Sequence, residues 1–450
     1  MAARRRRIPA LDGVLGLFTE VRPGEGSTGL WMLTSVFLIL AAYYFVKPAR
    51  DGLLAVSPVA GLSETELKAY SSFAQSIVLL GALPVYDQIA RALTRRTLVT
   101  TTTLFFAANL VVFWALQPGL LIANPHFTGI IFYLWVGIFN VFIVAQFWSF
   151  AADLYSDEAG KRLFPLIAIG ATAGAAAGSW ISKQLVPLVG TYGLLLVAAV
   201  LLTASLGTIR RAESTAELDD ERSNAGGLRL VFSQKFLLAT ALLVLVANWV
   251  NTNGENFLFG SVEKALHAKA AAAAVIDPDA FIRDRTTQFY GDLFFWVNVW
   301  ALFLQAVVAS RVLRYAGFAA LLLTLPGVAL VSYAAMAIHP HLSVIRVMKI
   351  AENSTDYSLQ NTAKQVLWLP TSADVKYRAK AAIDTLFVRA GDGLAAATAF
   401  VGLKLLSLPV RGMFAVNVGL VAVWLVLATI VAREHRRLTQ TTRARGKAAA

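Results

Sequence analysis

Apolar runs of about 20 residues recur along the whole chain, and a helix of that length matches the hydrocarbon thickness of a bilayer. With a window of about 19 residues they fall at 29–55, 71–92, 97–117, 128–152, 163–186, 190–209, 237–262, 288–309, 317–338, 342–369, 380–404 and 410–432. Within hydrocarbon every backbone N–H and C=O must be paired inside its own segment, so these runs read as helices. The expected fold is an all-α integral membrane protein of twelve spans. Composition agrees: of 450 residues, 57% are hydrophobic and only 15% charged, with a mean hydropathy of +0.62.

The distribution of Lys and Arg sets the orientation. Alternate connections carry Arg4 to Arg7, then Arg91, Arg95 and Arg96, Lys161 and Arg162, Arg210 and Arg211, Arg311 and Arg314, Lys376, Arg378 and Lys380, and finally Arg433, Arg436 and Arg437. Opposite connections are nearly free of them, 118–127 having none and 339–341 being His-Pro-His. Both termini are therefore expected in the cytoplasm of a bacterial inner membrane. The Arg4 to Arg7 cluster leads into Pro, Gly and acidic residues rather than directly into an apolar run, unlike a signal peptide, so the N-terminus is expected to be kept. The same bias accounts for the net charge of +13 without a nucleic-acid partner.

Polar residues at 210–227 read as a cytoplasmic linker between two six-helix halves, 1–209 and 228–432, followed by a basic cytoplasmic tail at 433–450. The connection Lys264 to Arg285 is expected to hold a short extramembrane helix. A weak internal repeat supports the division: "FWSFAADLYSDEAGKRLFPL" after span four and "LWLPTSADVKYRAKAAI" after span ten each place Trp at a span end, then Ser and Asp, then basic residues. Repeated halves are typical of secondary transporters, which bind solute near the midplane.

Several chemistries are excluded or unsupported. There is no cysteine, hence no disulfide, thiolate metal site or cysteine nucleophile. No phosphate-binding G-x-x-x-x-G-K-[ST], H-E-x-x-H or G-x-S-x-G motif occurs. Three of the five histidines, His126, His339 and His341, lie in outward connections, which argues against a histidine metal centre. No enzyme and no cofactor are expected. "GATAGAAAG", Gly170 to Gly178, repeats Gly every fourth residue within an apolar span and reads as a close helix-packing stripe.

Ionisable groups inside spans are the functional signal, because a charge at the bilayer centre costs at least about 2.5 kcal/mol and normally faces a cavity or a partner. In "YYFVKPARDGLL", Lys47, Arg50 and Asp51 interrupt span one; the two cations, one turn apart, either line a cavity at a helix break or extend to the interface. In "NWVNTNGENFLFG", Asn248, Asn251 or Thr252, and Glu255 form a polar stripe on span seven, with Gly254 permitting close approach. Its amides either bond neighbouring helices or read a solute. Asn140, Gln146 and Asp153 close span four, where Asp153 could equally be a solvated end. In "KAAIDTLFVRAGDG", Asp384, Thr385, Arg389 and Asp392 either pair with one another or leave Arg389 for an anion.

The tenth span, "KIAENSTDYSLQNTAKQVLWLP", is polar enough for a surface helix. Lys349, Glu352 or Asn353, Asp356, Gln360 and Lys364 nevertheless form one line, with Ile350, Tyr357, Leu359, Val366 and Leu367 on other faces. An interfacial helix would show the same stripe, but would leave eleven spans and move the basic connection 376–380 to the wrong side. The segment is expected to span the membrane and line a cavity.

"YYFVKPARDGLL", "NVFIVAQFWSFAADLYSDEAGKRLFPLIAIGATAGAAAG" and "AENSTDYSLQNTAKQVLWLPTSADVKYRAKAAIDTLFVRAGD" resemble the ATP/ADP translocase (nucleotide transporter) family of intracellular bacteria and plastids, and its homologues in free-living bacteria. That family is a distant branch of the major facilitator superfamily, whose loop signature "GALPVYDQIARALTRRTL", with Gly81, Asp87, Arg95 and Arg96, loosely resembles. The resemblance implies that Lys47, Arg50 and Arg389 hold phosphates, and that Asp153 matches the family's acidic position. The family's exchangers carry Lys where this chain has Asp392, and their seventh span differs from "NWVNTNGEN".

The expected function is therefore a major facilitator-type secondary transporter with an alternating-access cavity between its halves. Its partners are the bilayer and a small organic anion, a nucleotide by resemblance. Asn251, Glu255, Asn353 and Asp356 would read base or ribose. Two alternatives stay open: a proton-coupled transporter of another solute, using Glu255, Glu352, Asp356 or Asp392, and a membrane sensor or assembly protein that has kept the fold without flux.

Overall fold

The computed structural model describes residues 25–121, 127–155, 157–213, 231–232, 234–371, 379–380 and 382–448, which are helical almost throughout and contain no β-strand. Eleven helices follow in order among these residues: α1 Gly26–Ala55, α2 Glu64–Ala92, α3 Arg95–Ala115, α4 Thr128–Leu154, α5 Asp157–Glu213, α6 Lys235–Ala272, α7 Pro278–Tyr315, α8 Gly317–Ile338, α9 Leu342–Leu367, α10 Ile383–Leu405 and α11 Val410–Ala448. Ten of them are long and apolar enough to cross a membrane.

The difference from twelve has two physical causes. First, α5 breaks at Gly190, whose φ of 67° and ψ of 174° interrupt the helix, so its two arms correspond to the fifth and sixth expected spans. Second, α9 is helical over the tenth expected span, but its buried Lys349, Glu352, Asn353 and Gln360 make it too polar to count by hydropathy. The expected short helix between Lys264 and Arg285 is corrected: α6 continues to Ala272 and α7 begins at Pro278, so the alanine run extends a spanning helix. Most of the expected linker, from residue 214 to 227, lies outside the described residues, as do Arg4 to Arg7, His126, Lys376 and Arg378.

Two compact units emerge. Unit 1 comprises Met1–Pro58, Gly81–Arg222 and Lys269–Phe295, and unit 2 comprises Val59–Leu80, Ser223–Ala268 and Trp296–Ala450. Each unit therefore takes in one segment from the other half of the sequence, the start of α2 in one case and the start of α7 in the other.

Unit 1 is built on α1, whose residues from Ser35 to Leu54 are largely buried. Its closest neighbour is α5: a Cβ added at Gly170, Gly174 or Gly178 would overlap the backbone of Leu33, Phe37 or Ala41. Both series advance by four, so the parallel helices touch backbone to backbone along the glycine stripe. Phe139 of α4 packs on Tyr43 of α1, and Phe106 of α3 is in mutual contact with Trp135 and Phe139 of α4. In unit 2, Tyr333 of α8 and Phe257 of α6 both pack on Phe414 of α11.

Four π-turns interrupt the helices of unit 2, at Leu304–Ala309, Asp356–Gln360, Ile383–Phe387 and Phe400–Leu405. The one in α9 bears on function. Residues spaced by four drift around an α-helix of about 3.6 residues per turn. A wider π-turn offsets part of that drift. Glu352, Asp356, Gln360 and Lys364 consequently face one and the same cavity.

The glycine stripe yields a direct test. Gly174→Val should overpack the α1–α5 contact and cost about 1–3 kcal/mol, read as a lower unfolding temperature of the purified protein. Gly419→Ala, where nothing lies within 4 Å, should leave it unchanged or slightly raised.

Candidate functional site

Three polar clusters contain nearly all the sequence-selected residues. The first is in unit 1. Arg50 is 14% exposed and its Nη2 reaches both carboxylate oxygens of buried Asp51, at 3.2 and 3.1 Å. Its guanidinium also stacks 4.5 Å from the Tyr133 ring centre, while its Nε–H is buried without an acceptor. Lys47, one turn earlier, places its ammonium 3.9 Å from the Phe294 ring centre, 5.3 Å from that of Tyr44 and 5.9 Å from that of Tyr43. The aromatic faces present negative potential to the cation. Pro48 lies inside α1, which continues as one helix to Ala55.

The second cluster surrounds Lys349, which is fully buried. Its Nζ lies 2.9 Å from Glu352 Oε2 and 3.2 Å from Glu255 Oε1, and donates to Asn251 Oδ1 at 3.4 Å. Asn353 Nδ2 donates to Glu255 Oε1 at 2.9 Å. The Tyr333 hydroxyl is within hydrogen-bond reach of Glu352 Oε1 at 3.0 Å and of the Val250 carbonyl at 3.2 Å. Gly254 makes this convergence possible, since a Cβ there would take the place of the Tyr333 hydroxyl and approach Lys349 Nζ. The amide glue expected of span seven is supplied by Asn248, which donates to the Val388 carbonyl of α10 at 2.8 Å, and also by a residue outside the stripe: Asn253 donates to Asn417 Oδ1 at 2.9 Å, and Asn417 donates to Val250 O at 3.0 Å.

The third cluster is centred on Asp392. Its Oδ1 accepts from Asn248 Nδ2 at 2.7 Å and Thr252 Oγ1 at 2.9 Å, and its Oδ2 from Ser76 Oγ at 2.5 Å. Arg389 Nη1 completes the set at 3.3 Å. Gly391 allows the close approach of α10 to α6, a Cβ there meeting Leu245 O and Asn248. Arg389 thus pairs internally with Asp392, while Asp384 is exposed. Asp356 is held more loosely, 3.7 Å from Lys364. The side chain of Asp153 lies outside the described residues.

Sequence reasoning missed Tyr333, Ser76, Tyr133 and the rings around Lys47. For Tyr333 a signal existed, a lone hydroxyl-bearing ring in the apolar stretch "VSYAAMAI" of α8. Tyr43 and Tyr44 stand one turn before Lys47 in "YYFVKPARDGLL" and were equally visible, whereas Ser76, Tyr133 and Phe294 depend on contacts between distant segments and left no local trace.

A buried cation whose removal strands two carboxylates should be costly. Lys349→Met is expected to lower stability by about 3–5 kcal/mol, measured by thermal unfolding. Adding Glu352→Gln and Glu255→Gln should recover most of the loss.

No family model matches the chain. Among curated proteins it is 22% identical to ADP,ATP carrier protein 1 of Chlamydia trachomatis over 434 residues, covering 80% of this chain and 79% of that protein. Among solved structures, the nucleoside transporter NupG superposes with a TM-score of 0.60 at 13% identity, covering 90% of this chain and 98% of that one. A bacterial homologue of the iron transporter ferroportin, in its inward-facing state, gives 0.60 at 12% identity, covering 89% and 98%. These folds serve dissimilar solutes, so the structural likeness speaks for architecture alone. By sequence, then, the chain resembles an ADP,ATP carrier protein, and by fold it is an integral membrane protein of the major facilitator type.

Proposed function

We propose that this protein is a secondary transporter that exchanges nucleotides by alternating access, with 1–209 and 228–432 as its two halves and both termini on the cytoplasmic side of a bacterial inner membrane. The observation that carries the reading is the placement of Lys47 and Arg50 one turn apart in unit 1. Arg50 keeps a buried Nε–H without an acceptor, and Lys47 is cradled by aromatic faces. Two cations so arranged suit a phosphate group, which takes charge-assisted hydrogen bonds from Arg and a point charge from Lys. The resemblance to an ADP,ATP carrier protein supports the same solute class.

In this reading Asp51 holds the Arg50 guanidinium in place, and Asn251, Glu255, Asn353 and Asp356 contact the base or ribose. Binding energy drives the exchange between inward- and outward-open states rather than bond chemistry. Arg389 donates a second phosphate contact only when it exchanges Asp392 for the substrate. Lys349 and Glu352 then form the internal ion pair that keeps α9 within the bundle.

A second reading, proton-coupled transport of another solute, is favoured by one observation: Glu255 and Glu352 both pair with Lys349. Proteoliposomes separate the two. Uptake of labelled ATP should rise at least tenfold with ADP inside and respond little to an imposed pH gradient; uptake indifferent to internal ADP would refute exchange. Arg50→Ala should lower transport roughly tenfold to a hundredfold, as expected for about 1.5–3 kcal/mol of hydrogen bonding to a charged group.

A further inference from the structure

Unit 2 contains a cavity of about 80 Å³ that none of the three clusters fills. Apolar side chains make up much of its wall, among them Ala247 of α6 and Leu322 of α8, and the polar ones come chiefly from α9, where Glu352, Asp356, Gln360 and Lys364 face it, with Trp424 of α11 also in the lining. Its wall holds two buried polar atoms with no partner: the Gln360 Oε1, which can only accept, and the Trp424 Nε1–H, which can only donate. Gln360 is 1% and Trp424 2% exposed. A buried donor or acceptor left unsatisfied carries the full desolvation penalty of that group.

The charges around this space are already matched. Glu352 faces Lys349 at 2.9 Å and Asp356 faces Lys364 at 3.7 Å. No cluster of metal-ligating side chains occurs among the described residues. Neither a cation nor an anion is therefore called for. One unpartnered donor and one unpartnered acceptor, in a small space lined by both apolar and charged side chains, ask instead for a neutral molecule that both gives and takes hydrogen bonds. Apolar cavities of comparable size stay dry, whereas polar ones with two to four partners per molecule hold water.

We propose that this cavity is a hydrated site. Roughly two or three ordered waters fit its volume, at about 30 Å³ each. They accept from Trp424, donate to Gln360 and connect the carboxylates of Glu352 and Asp356. Lys364, 50% exposed, marks the end at which the cavity approaches solvent. The Lys349–Glu352 pair is thus solvated from one side along α9, whereas Asp392 is closed off by its four partners. A buried ion pair that must rearrange during transport gains from having water at hand, since either charge can turn to water while its partner moves. The site exists whichever solute is carried.

Hydroxyl-radical labelling by X-ray radiolysis tests this, because radicals formed from bound water oxidise the side chains beside it. Trp424 and Trp368 are matched in burial, 2% and 3% exposed, but only Trp424 lines the cavity. In the intact protein Trp424 should be oxidised at least tenfold faster than Trp368, and the cavity-filling Ala247→Leu should remove the difference. Equal rates for the two tryptophans in the wild-type protein would overturn the proposal. If Ala247→Leu does not fold, Leu322→Phe fills the same space from α8. A folded filling variant in which Trp424 is still labelled at the wild-type rate would likewise overturn it.

Discussion

A fully buried ammonium group at Lys349 is tenable only because Glu352, Glu255 and Asn251 surround it, and this one requirement organises unit 2. The desolvation of an ion in a low-dielectric interior is repaid only when geometry and hydrogen bonds are both favourable. Meeting it draws α6 against α9 through Glu255 and Asn251, and α8 into the same junction through Tyr333. Gly254 follows as a necessity, being the point where three helices crowd one ammonium group. A polar α9 inside an apolar bundle is therefore not a contradiction. Its charges are spent on neighbours, and its hydropathy falls below that of the other helices for the same reason.

Unit 1 solves the cation problem differently. Lys47 sits among three aromatic rings, and Arg50 is stacked on Tyr133 while held by Asp51. An aromatic surround stabilises a cation by about 0.5–2 kcal/mol. The dense α1–α5 contact along the glycine stripe complements this arrangement, because it fixes the helix that carries both cations.

What the sequence made legible was what repeats at a helical period. The line from Glu352 to Lys364 and the stripe from Gly170 to Gly178 both advance by four residues, and each lies along one face. Less visible were features set by backbone geometry. The boundary between the fifth and sixth spans is legible as the gap at 187–189, but that it rests on a single positive φ at Gly190 is not. The π-turns are invisible to any fixed-period reading. Least legible were partnerships across long separations: Ser76 with Asp392, 316 residues apart, or Lys47 with Phe294. Hydropathy assigns each of these residues to a span without saying which span it meets.

The Arg389–Asp392 pair separates the general architecture from substrate preference. Asp392 accepts from Asn248, Thr252, Ser76 and Arg389, which uses the capacity of both oxygens and ties α2, α6 and α10 together. In the nucleotide exchangers that the sequence resembles, a lysine occupies this position, a local difference of two charges. A lysine could accept none of these hydrogen bonds, so the change reaches further than the electrostatic potential: the donors of Asn248, Thr252 and Ser76 would need other acceptors. A phosphate bound at that place would supply them. In this chain the carboxylate already does, so the junction of α2, α6 and α10 is complete without a ligand.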